Sequence, residues 1–142
     1  MASPTETQVI PTPVLLTGLT DLLGTHGPFN AMTLHLYQNN IVLGRSTVLS
    51  NLTEANFTGY AAVASYTWST PYVDVDGSAL AIGADEAFIA TAATPSNQVY
   101  GYYFTDSGAT MLLAAYAFAA PVAIAGIGQA VTVVPFMRYS GT

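Results

Sequence analysis

Hydrophobic and polar side chains alternate along several short stretches of this chain. In Ala31–Gln38 every second residue from Met32 to Leu36 is apolar, and the residues between them are more polar. A period of two is typical of a strand with one buried face, so this stretch is predicted to be a half-buried strand. Further strand-like stretches are Phe57–Trp68, Glu86–Ala93, Asn97–Asp106 and Gln129–Tyr139.

Turn signals separate these stretches. Asp76-Gly77 favours a tight turn, and the Asp-Ser-Gly sequence at 106–108 favours another. Strands therefore recur at intervals of roughly 10 to 15 residues, as in all-β domains. The sequence predicts a single all-β domain over residues 14–142, built as an antiparallel β-sandwich or a jelly-roll-like barrel.

Helical signals are few. Ser50–Phe57 is predicted to contain one helical turn, which Asn51 caps and to which Glu54 reaches back. Pro13–Gly24 is the one stretch whose apolar residues could form an amphipathic helix.

A long apolar run lies near the end of the chain. Met111–Val134 contains twenty-four residues without a charged side chain, which exceeds the roughly 18 to 20 residues of a membrane-spanning helix. However, Pro121 interrupts the run, its last residues are β-branched, and no basic cluster flanks it. We therefore predict two strands joined by a Pro/Gly turn, and no membrane partner.

The N-terminal stretch differs from the rest. Residues 1–13 contain three prolines and no apolar period, which favours an extended arm that cannot form a core of its own. Its apolar anchors are Val9 and Ile10, with Val14 just beyond it. We predict that the arm contacts a neighbouring subunit through these three residues, although packing on its own domain is the alternative.

Charge is scarce throughout the 142 residues. Charged residues make up 7% of the chain, against about 25% in an ordinary soluble domain. Arg45 and Arg138 are its only cations against eight acidic residues, and the net charge is −6. Nucleic acid is excluded as a partner, because binding to phosphates needs clustered Lys or Arg. Low charge is expected of a membrane protein, of a surface largely covered by other protein, or of an exterior rich in Ser, Thr, Asn and Gln.

Catalytic signals are weak. His26 and His35 are the only histidines, and no G-x-S-x-G elbow accompanies the serines. His26 is expected in a turn and His35 on a strand face. We predict no catalytic residue and no enzyme activity.

Metal and cofactor signals are equally weak. Asp74 and Asp76 would share one side of a strand and could hold a hard cation. The further acidic ligands of a calcium loop are missing, so a solvated pair beside a turn is the favoured interpretation. Cysteine is absent. The sequence therefore predicts no metal site and no cofactor.

Tyrosines are abundant. The chain has nine, and Tyr100 and Tyr102 are expected on one strand face with Phe104. Aromatic faces could stack on a carbohydrate, but tyrosine is also enriched at subunit interfaces. The polar partners of a sugar site are scarce, so Tyr100 and Tyr102 are predicted to be protein contacts.

Three stretches carry a resemblance. The sequence "LTEANFTGYA" (Leu52–Ala61), preceded by "LHLYQNN" (Leu34–Asn40) and followed by "VYGYYFTD" (Val99–Asp106), resembles a pattern of small β-rich virion proteins of tailed bacteriophages. The resemblance covers about two-thirds of the chain and carries over no catalytic residue. It implies a capsid decoration, or cement, protein that is commonly trimeric and binds across junctions of the major capsid protein.

The hypothesis from sequence is therefore a structural virion protein on the outer capsid surface, made in the host cytoplasm. Its expected partners are the major capsid protein and copies of itself, in a homotrimer. A tail-associated or receptor-binding module with a glycan site is the first alternative. A membrane-active protein that uses residues 111–134 is the second.

Overall fold

In a computed structural model of the protein, residues 11–24, 31–93 and 97–140 are described, without the side chain of Val14. The elements, in chain order, are α1 (Thr12–Leu23), β1 (Thr33–Tyr37), a 3-10 turn (Leu49–Asn51), β2 (Tyr72–Val73), β3 (Ala79–Ile82), β4 (Glu86–Ile89), β5 (Asn97–Thr105), β6 (Leu112–Ile124), β7 (Ala130–Val133) and β8 (Phe136–Tyr139).

The strands form three antiparallel sheets, in the orders β1-β5-β6, β2-β3-β8 and β4-β7. Strands account for 41% of the structure and helix for 12%, and the described residues form no closed barrel. The predicted all-β class is confirmed, and the arrangement is sandwich-like. The main core lies between the sheets, where Leu34, Phe57 and Phe104 are almost fully buried.

The strand predicted in Ala31–Gln38 is present as β1, but the prediction that only one face is buried was wrong. Leu34 and Leu36 point into the main core, whereas Tyr37 packs in a second cluster with Leu52 and Tyr103 on the other side. Because both faces of β1 are covered, His35 and Tyr37 are buried as well, and Thr33 is half-buried.

Phe57–Trp68 does not form the regular strand that its composition suggested. Gly59 has φ +99° and Ser65 has φ +52°, and both lie in the left-handed region that breaks an extended chain. The backbone of this segment forms no continuous ladder with β1 and pairs with it at an isolated bridge from Val63 to Leu34. It runs along the outer edge of β1 instead.

Helix α1 confirms that Pro13–Gly24 can form an amphipathic helix. It begins at Thr12, two residues inside the predicted arm, with proline in its first turn and Gly24 after its last. Leu15 and Leu19, four residues apart, are buried against Ala79 and Ala81 of β3. The helix therefore covers one face of the β2-β3-β8 sheet.

Met111–Val134 contains two strands, as predicted, but they do not join at Pro121. Strand β6 continues to Ile124, and the turn at 125–129 uses Gly128 with φ +82°. Pro121 lies in a bulge, where the register passes from Gly101–Ala117 directly to Val99–Val122. A bulge leaves unpaired positions, which suits a residue without an N–H. None of the described helices is long and apolar enough to cross a membrane.

The last predicted strand, Gln129–Tyr139, is two strands on different sheets. Strand β7 pairs with β4 and β8 pairs with β3. Pro135 lies between them, and its carbonyl accepts a hydrogen bond from the Gly83 N–H at 2.8 Å. The proline cannot donate to a ladder, so pairing stops there and the chain changes sheet.

Candidate protein-contact surface

The β2-β3-β8 sheet has one face that α1 does not cover. The pairing sets Tyr72 beside Leu80, Leu80 beside Arg138, and Ile82 beside Phe136. Residues paired directly across antiparallel strands point to the same side. We call Tyr72, Leu80, Ile82, Val134 and Phe136 the outer face.

The outer face is apolar and open. Val134 is 53% exposed, Phe136 is 42% exposed and Ile82 is 37% exposed, around the buried Leu80. A groove of about 300 Å³ is lined by Leu80, Ile82, Val134, Phe136 and Arg138. Exposed large hydrophobic side chains that adjoin one another are typical of a surface that contacts another protein.

Arg138 joins the outer face to the β2–β3 turn. Its Nη2 lies 2.8 Å from Asp74 Oδ2 and its Nη1 lies 2.7 Å from Asp76 Oδ2. Hydrogen bonds from Ser78 hold the pKa of Asp76 below its usual range, and the Arg138 guanidinium lowers this pKa further. The two carboxylates therefore bind an arginine, which neither interpretation of the pair from sequence had included.

The contacts of Arg138 with Asp74 and Asp76 decide how charge is arranged beside the outer face. The guanidinium is matched by two carboxylates, so the rim of the outer face carries an internally paired charge cluster.

In the described residues, no group of three or more His, Asp or Glu side chains could hold a metal ion.

The outer edge of β6 is a second open surface. In the described part of the chain, β6 pairs with β5 and with no strand on its other side. Most of its residues are half-buried or exposed. At its start, Met111 and Val48 are each 53% exposed and line a groove of about 560 Å³. The edge belongs to the uncharged run at 111–134, whereas the groove lies between residues 47–50 and residues 110–112.

Tyr116 connects the two surfaces. Its hydroxyl donates to the Phe136 carbonyl oxygen at 2.8 Å, and its ring meets the Phe136 ring edge-on at 5.5 Å. The open edge of β6 and the outer face are therefore neighbours in space, although they belong to different sheets.

Both ring nitrogens of His35 have internal partners. Nδ1 lies 2.8 Å from Glu54 Oε1, and Nε2 lies 2.9 Å from the Thr105 hydroxyl. The ring also stacks on Tyr103 at 4.7 Å. The Tyr60 hydroxyl donates to the same Glu54 oxygen at 2.8 Å. His35 is 6% exposed and Thr105 is fully buried, so this network ties β1 to its neighbours inside the protein.

Glu54 consequently does not close the predicted helical cap. The 3-10 turn is stabilised instead by the Asn51 side chain, whose Oδ1 accepts from the Val48 N–H at 2.9 Å.

The predicted Asp106 turn is present, and Asp106 Oδ1 accepts from the Thr110 and Met111 N–H groups. The Thr110 hydroxyl is the main cause of the lowered pKa of Asp106.

The two tyrosines predicted to be partner contacts lie in different places. Tyr100 and Tyr102 were expected on one face of the strand, but they lie on different faces. A bulge between Val99 and Gly101 shifts the alternation of β5, so Tyr102 packs in the main core and Tyr100 packs in the second cluster. Tyr100 is half-buried and its hydroxyl donates to Gln98 Oε1. Tyr102 is 7% exposed and stacks on Tyr116, and burial raises its pKa to about 12. Tyr102 is thus an internal packing residue.

The remaining predicted residues fall at the start of the chain. Val9, Ile10 and His26 lie outside the described residues. Val14 lies in α1, and its side chain is likewise not described.

The outer face was missed by the reading of the sequence. Its signal was present in the alternation of Phe136 with Arg138 and of Leu80 with Ile82, but the pairing of β3 with β8 connects residues more than 50 positions apart. Comparisons with known proteins add no further assignment: no protein-family model, curated protein or solved structure matches this chain. The geometry offers open apolar surfaces on the outer face and along β6.

Proposed function

We propose that this chain is a structural virion protein of the capsid decoration type, which binds the major capsid protein and further copies of itself. The observation that carries the proposal is the outer face, where Ile82, Val134 and Phe136 are exposed side by side. Burial of such a surface against another protein releases about 25 cal/mol per Å² of apolar area.

Two features of the chain support an adhesive role. The low content of charged residues, 7%, leaves few charges that must be desolvated at an interface. The second is the burial of His35 and of its hydroxyl partner Thr105, which are 6% and 0% exposed, so this network packs inside the protein while the apolar side chains of the outer face are open. The resemblance of Leu52–Ala61 and its flanking stretches to phage virion proteins supports a capsid as the partner in that contact.

The first experiment asks whether the chain is part of a particle. Virus particles are purified from the source of the sequence, and their proteins are quantified by mass spectrometry. The proposal expects this chain in a fixed ratio to the major capsid protein. Its absence from purified particles would overturn the proposal.

The second experiment asks whether the outer face makes the contact. Heads produced without this chain are mixed with the purified wild-type protein, and co-sedimentation measures binding. Ile82→Glu with Phe136→Glu is expected to reduce binding at least tenfold, because it introduces unpaired carboxylates into an apolar contact. Val42→Glu is the matched control, since Val42 is 94% exposed and lies in a loop outside the outer face. Equal binding of all three proteins would assign the contact to another surface.

A further inference from the structure

We propose that the Asp76-Gly77 bond is a modification site, at which the aspartate converts to isoaspartate, and that Arg138 keeps this conversion slow in the folded protein. The proposal goes beyond the proposed function and does not depend on it, because it concerns a reaction of the chain itself. It assigns a role to the charged cluster at the rim of the outer face.

The reaction requires only water. The Gly77 nitrogen attacks Cγ of Asp76, an N–C bond forms, and a hydroxyl of the neutral carboxyl group leaves as water with the amide hydrogen. The cyclic imide then takes up one water molecule. When its main-chain carbonyl opens, the backbone runs through Cβ and Cγ of residue 76, and the former main-chain carboxyl group becomes the side chain. The water lost is the water regained, so the mass does not change.

The residue after the aspartate makes this bond reactive. Gly77 has no Cβ, so nothing beside its nitrogen hinders the approach to a carboxyl group. Of the eight acidic residues in the sequence, Asp76 is the only one that glycine follows. The Asp76 side chain is 50% exposed, so water reaches the bond. Asp74, its neighbour in the same cluster, precedes the β-branched Val75, which hinders the same attack.

Both oxygens of the Asp76 carboxylate are held. Oδ1 accepts from the Ser78 N–H at 2.9 Å, and Oδ2 accepts from Arg138 Nη1 at 2.7 Å. Attack makes Cγ tetrahedral and moves both oxygens, so it disrupts these bonds. The hydrogen bonds from Ser78, followed by the Arg138 guanidinium, also lower the pKa of Asp76. The ionised carboxylate that they favour has no hydroxyl to lose.

The attacking residue is held as well. The Gly77 N–H donates to the Asp74 carbonyl oxygen at 3.0 Å. The Gly77 carbonyl oxygen accepts from the Thr12 hydroxyl at 3.0 Å, which ties the turn to the start of α1. Both backbone groups of the glycine are therefore bonded, and the turn must open locally before its nitrogen can reach Cγ.

Conversion changes the rim of the outer face. Isoaspartate adds one carbon atom to the backbone inside the β2–β3 turn, which the Asp74 N–H closes by donating to the Ser78 carbonyl oxygen at 2.8 Å. The carboxylate also leaves its position beside Arg138, whose side chain lines the groove of the outer face. The reaction thus separates one of the two carboxylates from the guanidinium.

The first test measures the reaction in the folded protein. Wild type, Arg138→Gln and Arg45→Gln are incubated for weeks at pH 7, and isoaspartate at residue 76 is quantified by mass spectrometry with electron-transfer fragmentation. Arg138→Gln is expected to speed the reaction about two- to fivefold, as for the removal of one exposed ion pair. Arg45→Gln is the matched control, because it makes the same change in net charge, and Arg45 is exposed and forms no ion pair with a described residue. Equal rates in all three proteins would overturn the role of Arg138.

The second test compares the fold with its absence. A synthetic peptide of residues 72–80 is expected to form isoaspartate about tenfold faster than the folded wild type, since no turn has to open. A wild-type protein that reacts as fast as the peptide contradicts the protection by the fold. A peptide without detectable isoaspartate contradicts the modification site itself.

A measurement on the unmodified chain covers the case in which Arg138→Gln does not fold. Added salt weakens an exposed ion pair. It should therefore speed the reaction of the folded wild type and leave the rate of the peptide unchanged. A rate in the wild type that does not depend on salt would show that Ser78 and the turn protect the bond without Arg138.

Discussion

The two edges of the β1-β5-β6 sheet differ in how the chain completes them. Along β1, the Leu34 N–H donates to the Val63 carbonyl oxygen and the Leu34 carbonyl oxygen accepts from the Val63 N–H, both at 2.9 Å. The Leu36 N–H donates to the Tyr60 hydroxyl at 3.1 Å. Strand β6 bonds to β5 on one side, and in the described part of the chain no segment bonds to its other, outer edge.

The difference shows that an edge can be closed without a strand. The segment at 53–66 is irregular, yet its backbone and one tyrosine satisfy the outer groups of β1. A regular strand there would offer a new edge in its turn, whereas an irregular segment ends the sheet. An irregular segment thus closes the β1 edge, whereas the described residues place no comparable segment along the outer edge of β6.

The strongest way to break this comparison is to loosen the covering segment. Phe57 is 2% exposed and anchors the segment in the main core. Phe57→Ala should lower the free energy of unfolding by about 3–5 kcal/mol, because it removes a buried aromatic ring and leaves a cavity. Urea denaturation measures the loss, and hydrogen exchange should show faster exchange along β1.

Ile127→Ala is the control for Phe57, since Ile127 is 73% exposed in the turn before β7. Its effect should stay within about 0.5 kcal/mol. If Phe57→Ala were as mild, the segment would not depend on this anchor and the covered edge would need another explanation.

A second way is to disturb the contact between β5 and β6. A Cβ atom at Gly101 would overlap the Tyr116 carbonyl oxygen and would lie 2.7 Å from the Tyr37 ring. Gly101→Ala should therefore cost about 2–3 kcal/mol, since backbone and a buried ring must both move. Gly44→Ala is the matched control, because no atom lies within 4 Å of its added Cβ. Equal unfolding midpoints for the two variants would contradict the close approach.

The third prediction concerns one hydrogen bond of the covered edge. Tyr60→Phe removes the hydroxyl that accepts from the Leu36 N–H, and it leaves that backbone donor without its partner. The expected loss is about 1–2 kcal/mol, measured by urea denaturation at pH 7. Tyr72→Phe, at an exposed position of the outer face, should change stability by less than about 0.5 kcal/mol.

The same tyrosine predicts a dependence on pH. Burial raises the pKa of Tyr60 above its usual value of 10.0. The unfolded chain therefore loses this proton first, so stability is full below pH 10 and falls as the pH rises above it. Phe has no such proton, and the stability gap between the wild type and Tyr60→Phe should narrow from pH 9 to pH 11. A gap that stays constant would contradict the burial of the hydroxyl.

Local patterns of the sequence predicted where the strands lie better than they predicted what packs against each strand. Alternation identified β1, β4 and β5, and Asp76-Gly77 identified the β2–β3 turn, because these features depend on adjacent residues. The burial of both faces of β1 could not be predicted, since it depends on Tyr103 and Leu52, which approach from distant parts of the chain.

The open surfaces were not predicted. Low charge led to the expectation of protein contacts, but the residues named for them, such as Tyr100 and Tyr102, belong neither to the outer face nor to β6. Tyr102 was chosen for its residue type, and the bulge in β5 that decides its direction has no local signal. The outer face requires the pairing of β3 with β8, which no spacing along the sequence reveals.

The smallest expected effect concerns a third edge, that of β8, where a charge is present. Arg138 donates to Asp74 and Asp76, and this side of the sheet therefore carries the kind of protection that β6 lacks. Because Arg138 and Asp76 are exposed and Asp74 is half-buried, Arg138→Gln should lower the melting temperature only slightly, and added salt should shrink the difference. Arg138→Lys should retain part of the stabilisation, since it keeps the charge but not the forked geometry.

Calcium should not raise the melting temperature of the wild type, because the guanidinium already occupies the carboxylate oxygens. A clear rise with calcium would show that the two aspartates prefer a metal ion to Arg138, and that the β8 edge is guarded by no fixed charge.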